Sequence, residues 1–135
     1  MVDRTGIPLA VTLSAANVND VSLFEPLLEA IEPIKRPRGR PRQRPAKVHA
    51  DKAYQAKHCR EYLRRRGIGC RIARKGIESK ERLGRYRWVV ERTQAWLSCF
   101  RRLDVRYERR ADIHHAFLDL GCALICWNAL RRRFC

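Results

Sequence analysis

Two acidic residues stand in segments whose makeup suits metal-dependent chemistry on phosphodiesters. Asp51 closes the run Lys47-Val-His-Ala-Asp51-Lys-Ala-Tyr54, and Glu91 sits inside Arg87-Trp-Val-Val-Glu91-Arg-Thr-Gln-Ala-Trp96. One carboxylate at the end of a predicted strand and one within a predicted helix are hard oxygen donors of the kind Mg²⁺ (or Mn²⁺) accepts. Two-metal phosphoryl transfer gathers carboxylates around ions about 3.5–4 Å apart. One ion helps deprotonate the attacking water or 3′-hydroxyl, and the other stabilises the departing oxygen. Each residue also has a plainer reading. Asp51 would be a surface carboxylate capping the following helix, and Glu91 would pair with Arg87 at i−4 or with the adjacent Arg92.

The surroundings suit a polyanion. The chain carries 30 Lys plus Arg against 14 Asp plus Glu, a formal +16. The excess is uneven: residues 1–34 hold one basic and five acidic groups (net −4), so the remainder holds 29 against 9 (net +20). Arginine dominates lysine, and its planar fork favours bidentate phosphate contacts. A structural RNA-binding protein would show similar totals, so charge identifies only the class of partner. A hydrophobic fraction of 45% argues against wholesale disorder, and 135 residues suffice for at most one domain. The six cysteines form no C-x-x-C pair and the four histidines are not interleaved with them at zinc-finger spacing, which points to neither a zinc site nor a disulfide framework. No signal peptide is visible. The run Ala116–Leu130 is apolar but interrupted by Asp119 and Asn128, and reads as too short to span a bilayer. The expectation is a reduced, cytosolic protein with no membrane partner.

The elements that would position the two carboxylates follow from pattern. Asp3-Arg-Thr-Gly6 reads as a turn and Ile7–Leu13 as a strand, the second arm of a hairpin. Asn17-Val-Asn-Asp20 supplies capping side chains for a helix whose Leu23, Leu27, Leu28 and Ile31 recur at helical spacing and which Pro33 ends. Residues 34–46 are Pro- and Arg-rich and read as an extended, exposed linker. Val48–Asp51 is a predicted strand, 56–66 a helix with Cys59, Tyr62 and Leu63 inward and Gly67 at its end, and Ile68–Ala73 a half-buried strand. Gly76–Gly84 reads as a charged loop. Tyr86–Phe100 reads as a helix with Val90, Thr93, Leu97 and Phe100 inward, and 111–131 as a long apolar helix. Strand, helix, strand, helix predicts a layered α/β domain. Asp51 then falls at the carboxyl end of its strand, where ligands gather in such layers.

Residues 47–130 closely resemble the C-terminal part of DDE-type insertion-sequence transposases, which have a ribonuclease-H-like catalytic core. The resemblance rests on His49-Ala-Asp51-Lys-Ala-Tyr54, on Leu83-Gly-Arg-Tyr-Arg-Trp88-Val-Val-Glu91-Arg-Thr-Gln-Ala-Trp96, on Phe100-Arg-Arg-Leu103 and on Val105-Arg-Tyr-Glu-Arg-Arg110-Ala-Asp-Ile-His114. Ala15-Ala-Asn-Val-Asn-Asp20 is similar to the segment that precedes them. The resemblance implies an α/β chain with an incomplete ribonuclease-H-like fold, a mixed sheet flanked by helices with its first central strand missing. It implies that Asp51 and Glu91 are catalytic metal ligands, with Arg87 supporting the helix and contacting substrate. Residues 1–135 would then be a partial catalytic domain. The first catalytic Asp of such enzymes lies on a central strand upstream of the hairpin, and neither Asp3, a turn residue, nor Asp20, a helix-start residue, replaces it. Without that strand the sheet has a gap, with backbone groups left unpaired.

The partner implied is double-stranded DNA at the ends of a mobile element, gripped by Arg36, Arg38, Arg40, Arg42 and Arg44 of the linker and by Lys52, Arg92, Arg101 and Arg102. Arg38-Gly-Arg-Pro41 resembles a minor-groove hook, although general phosphate attraction or a solvated linker accounts for the same arginines. Relatives often carry a basic residue within two turns after the Glu. Here Ser98 and Cys99 stand there, with Arg101 and Arg102 just beyond. The chain is expected to be unable to catalyse alone, as a decayed gene or as the second part of an enzyme completed by an upstream-encoded segment; a full-length transposase is a further partner to consider, and self-association is compatible with it. The alternative is a noncatalytic DNA-binding or regulatory fragment.

Overall fold

Val48 and Ala50 alternate with Lys47 and His49, and the same period of two runs through Gly69, Cys70, Arg71 and Ile72. Two such half-apolar runs joined by a helix make a parallel pair, because a parallel connection needs a crossover of a dozen or so residues. In the computed structural model, which describes residues 1–35, 37–73 and 80–134 without the side chains of 80–87, 133 and 134, that pair is β1 (Lys47–Ala50) and β2 (Gly69–Ile72). Their register matches Lys47 with Gly69, Val48 with Cys70, His49 with Arg71 and Ala50 with Ile72. Val48 and Ile72 are buried, while Lys47, His49 and Arg71 are exposed. Among the described residues the sheet has these two strands, flanked by helices, so the architecture is α/β as an incomplete ribonuclease-H-like fold requires. Among the described residues, antiparallel pairing is present only as single bridges, Val2 with Pro8 and Ile34 with Arg42.

The described residues form two units, Ser14–Tyr86 and Met1–Leu13 with Arg87–Cys135. In the first, Asn19 caps a 3-10 turn (Asp20–Leu23) through its side chain, and α1 (Phe24–Glu29) follows. The helix stops at Glu29, short of Pro33, and Ile31 reaches the core from the segment after it. The crossover helix α2 (Lys57–Arg65) buries Cys59, Tyr62 and Leu63, as its pattern predicts. It closes in a Schellman arrangement: the Gly67 N–H donates to the Arg64 carbonyl and the Ile68 N–H to that of Leu63. Gly67 has φ +61°, a conformation that a side chain disfavours. The Arg44 guanidinium donates to the Arg66 carbonyl at 2.9 Å, setting a cation at the negative end of the helix.

The 34–46 segment is therefore not simply extended. Ile34 and Arg42 exchange both backbone hydrogen bonds (2.9 and 2.8 Å), folding it into a loop whose tip, Arg38–Arg40, is exposed.

In the second unit Asp3–Gly6 is a turn as expected, but Ile7–Leu13 forms no strand. Only the Pro8 bridge to Val2 is made, since among the described residues no other strand offers these residues a ladder. The helix α3 (Lys80–Ser98) begins six residues before the predicted start. Lys80–Gly84, expected in a loop, is helical, and residues 76–79 of that loop lie outside the described residues. Its inward residue near the middle is Val89, 8% exposed, while Val90 is 45% exposed. Val89 and Thr93 are one turn apart, so Thr93 turns inward as predicted while Val89 takes the place predicted for Val90. A short helix α4 (Arg101–Asp104) and the long α5 (Ala111–Phe134) complete the unit. Gly121 lets α5 approach closely: a Cβ there would lie 2.9 Å from Leu103 and 3.2 Å from Leu97. Contrary to the sequence expectation, Ala111–Arg132 is long and apolar enough to cross a membrane by length and composition. The run Ala116–Leu130 omitted a turn of helix at its start.

Candidate functional site

Asp51 directly follows β1, at the carboxyl end of the parallel pair. The chain leaves the strand there into a 3-10 turn (Lys52–Tyr54) that Asp51 caps, with Oδ1 accepting from the Lys52 N–H at 2.6 Å. That single bond uses one lone pair of an exposed carboxylate. The turn is held from below by the Tyr54 ring, whose centroid is 5.6 Å from that of Phe24 on α1. Burial, then the negative charge around it from Asp20, Cys59 and Asp51, pushes the Tyr54 phenol above its ordinary range, so it stays a neutral packing group.

Glu91 is an exposed residue of α3 in the other unit, and its neighbours fix which way it faces. Thr93, 3% exposed, donates its hydroxyl to the Gly6 carbonyl at 2.7 Å, and the Arg92 guanidinium donates to the Thr5 carbonyl. Gly6 is required at this approach, because with φ +83° a Cβ would also meet Arg92 Nη2 and Thr93 Oγ1 at 3.0 Å. The turn thus pins the helix immediately after Glu91. Asp3 shapes that turn: its Oδ1 accepts from the Thr5 and Ile7 N–H groups at 2.8 and 2.9 Å, and Thr5 Oγ1 donates to the same carboxylate.

The predicted phosphate-binding residues fall into different situations. Arg38, Arg40 and Arg101 are exposed. Arg42 and Arg44 are engaged in the 34–46 loop and the α2 terminus, and an open groove there is lined by Arg40, Arg42, Arg44, Pro45 and Gly67. Lys52 is half-buried in the turn after Asp51. Arg36 and the side chain of Arg87 lie outside the described residues.

Arg92 has its guanidinium carbon 4.5 Å from the Trp88 ring and 4.9 Å from the Trp96 ring. Eight-residue spacing leaves the two rings on different lines of the helix. It is the residue midway, at i+4 from one and i−4 from the other, that draws them together. That spacing is legible in the sequence. Arg102 is engaged too: it donates to Glu108 at 2.6 Å and lies 5.5 Å from both the Tyr107 and Phe117 rings.

Glu108 is a residue that sequence reasoning missed. Its side chain is 6% exposed, and its second oxygen is 3.7 Å from Nδ1 of His114. Burial pushes this carboxyl up, but the Arg102 hydrogen bond and charge, with backbone N–H groups, outweigh it and hold the group below its ordinary range. No local spacing announces this arrangement, since it depends on how α4 and α5 meet.

Among the described residues, no three or more His, Cys, Asp or Glu side chains gather as metal ligands. The donor types fit Mg²⁺, but Asp51 and Glu91 belong to different units and are not by themselves a complete site.

Comparison with known proteins gives a consistent result. Residues 1–128 match the transposase DDE domain family. The chain is 58% identical over 132 residues to a protein assigned as the transposase of insertion sequence element IS402 in Burkholderia cepacia, covering 98% of this chain. It spans 63% of that relative's length. No solved structure matches.

Proposed function

The chain belongs to the family of transposases with a DDE domain, and from that membership we propose that it contributes the second and third catalytic carboxylates, Asp51 and Glu91, to an enzyme that cleaves and joins DNA strands at mobile-element ends. The observation that carries the reading is the placement of Asp51. It is an exposed carboxylate at the carboxyl end of a parallel strand, inside a segment matched to the family from residue 1 to 128. On this reading the remaining carboxylate is supplied by another segment, not by Asp3 or Asp20. Asp3 is committed to its own turn, and Asp20 begins a 3-10 turn. Divalent metal, when bound, would activate the attacking oxygen and neutralise charge on the phosphodiester. Asp51 and Glu91 would each offer an oxygen donor to it, and the basic residues would draw and orient the DNA. The turn held by Arg92 and Thr93 keeps Glu91 on the exposed side of α3.

A second reading, a noncatalytic fragment that occupies element ends or joins a full-length enzyme, is favoured by the lack of a three-ligand cluster among the described residues. One experiment separates them. Cleavage of element-end DNA with Mg²⁺ or Mn²⁺ is measured for 1–135 alone and with the upstream-encoded segment, beside Asp51→Asn and Glu91→Gln. The expected outcome is cleavage only in the presence of the upstream segment, reduced at least about a hundredfold by either substitution. Cleavage by 1–135 alone would overturn the need for an outside carboxylate. Specific DNA binding by a folded complex without cleavage would establish the second reading.

A further inference from the structure

The helix α5 is apolar on two opposite faces, and its own unit covers only one. The covered face carries Gly121 against Leu97, Phe100 and Leu103, the buried Ile125, and Cys126 near the Pro8 carbonyl. About 180° around the helix, at 3.6 residues per turn, a second stripe repeats every seven residues: Ile113, Leu120 and Trp127, with Ala116, Ala123 and Leu130 between them. All six are exposed, Leu120 at 56% and Trp127 at 64%. A contiguous apolar stripe of this length left in water marks an interaction face.

We propose that this second stripe pairs with the same stripe of a second copy of the chain, in antiparallel alignment about a two-fold axis between Gly121 and Cys122. The pattern is self-complementary about that point. Ile113 meets Leu130, Ala116 meets Trp127 and Leu120 meets Ala123, so each Ala faces a large side chain. Charge selects the same alignment. Asp112 falls opposite Arg131 of the partner subunit, and both are exposed. Asp112 already accepts from Arg110 of its own chain, and a carboxylate has lone pairs for both guanidinium groups. Parallel pairing would instead set the Arg131 and Arg132 groups of two copies side by side.

The test is sedimentation equilibrium of the full 135-residue chain under reducing conditions, with circular dichroism to monitor folding. The expected species has twice the 15.9 kDa chain mass. Leu120→Glu with Trp127→Glu should give a monomer of unchanged helicity. Asp112→Arg and Arg131→Asp should each raise the dissociation constant about tenfold, because two weak ion pairs become repulsive, and the double swap should restore it. The double swap keeps the proposal testable if the Glu variant fails to fold. A monomeric wild type, a dimer indifferent to Leu120 and Trp127, or absence of rescue by the double swap would each overturn it. So would a monomer that enters phosphatidylcholine vesicles with a blue shift of tryptophan fluorescence, or one whose stripe is covered only when the upstream segment is added.

Discussion

At the scale of single residues, the carboxylates divide by what holds them. Asp3 is consumed by a turn, Asp51 keeps most of its lone pairs outward at a strand end, and Glu108 is enclosed against Arg102 and His114. Glu108 makes a pH prediction with a definite sign. Its carboxyl in the folded chain titrates below the ordinary value of 4.5, so the unfolded chain binds its proton more readily. The stabilisation is therefore fully present above about pH 4.5 and is lost as pH falls through the folded value. Glu108→Gln should lower the melting temperature at about pH 6, and the gap from wild type should shrink toward about pH 3. Thermal melts at the two pH values check this, and an equal gap at both would refute the linkage. The Trp88–Arg92–Trp96 arrangement belongs to this scale as well: it turns an arginine adjacent to Glu91 into a structural clamp.

Elements explain how such residues come to be presented. The β1–α2–β2 crossover buries Leu63 and Cys59 completely, and the C-terminus of its helix is closed by Gly67 and Arg44 together. Because Leu63 sits in a fully enclosed position, Leu63→Ala should cost about 2–5 kcal/mol, the range for a large-to-small change that leaves a cavity. Denaturant melts followed by circular dichroism measure it. A loss under about 1 kcal/mol would mean that this helix does not organise the core around β1. The loop of residues 34–46 shows an element read from composition and reshaped by pairing. A Pro- and Arg-rich run looks like an open arm, yet one two-residue bridge folds it back and assigns Arg44 to helix capping.

For the whole molecule the governing quantity is charge. A net +16 with exposed Arg38, Arg40 and Arg101 suits a polyanion, and if that partner is the DNA proposed above, counterion release makes affinity fall steeply with salt. Replacing Arg38 and Arg40 together by Ala should reduce the slope of log affinity against log salt by up to about 1.8, at about 0.9 for each phosphate no longer neutralised. Arg92→Ala should leave the slope nearly unchanged, because that guanidinium is engaged inside its own unit. Fluorescence anisotropy of labelled duplex DNA across a salt series decides it. An equal change in slope for both variants would show that the loop tip has no special part in DNA binding.

By itself the sequence determined the layered α/β arrangement, the inward residues of α2, the capping glycine and the two motifs that carry Asp51 and Glu91. These rest on periods of 2 and 3.6 residues and on backbone preferences, which act between near neighbours in the chain. Tertiary structure decided the rest. Val89 rather than Val90 turns inward, Ile7–Leu13 stays single-stranded apart from one bridge, Arg92 is taken by Thr5 and two tryptophans, and the Glu108 side chain is enclosed. Each of these depends on an interaction between residues distant in sequence or on the rotation of one helix against another. A local pattern constrains neither, because the energy that selects them is gained only when the elements meet.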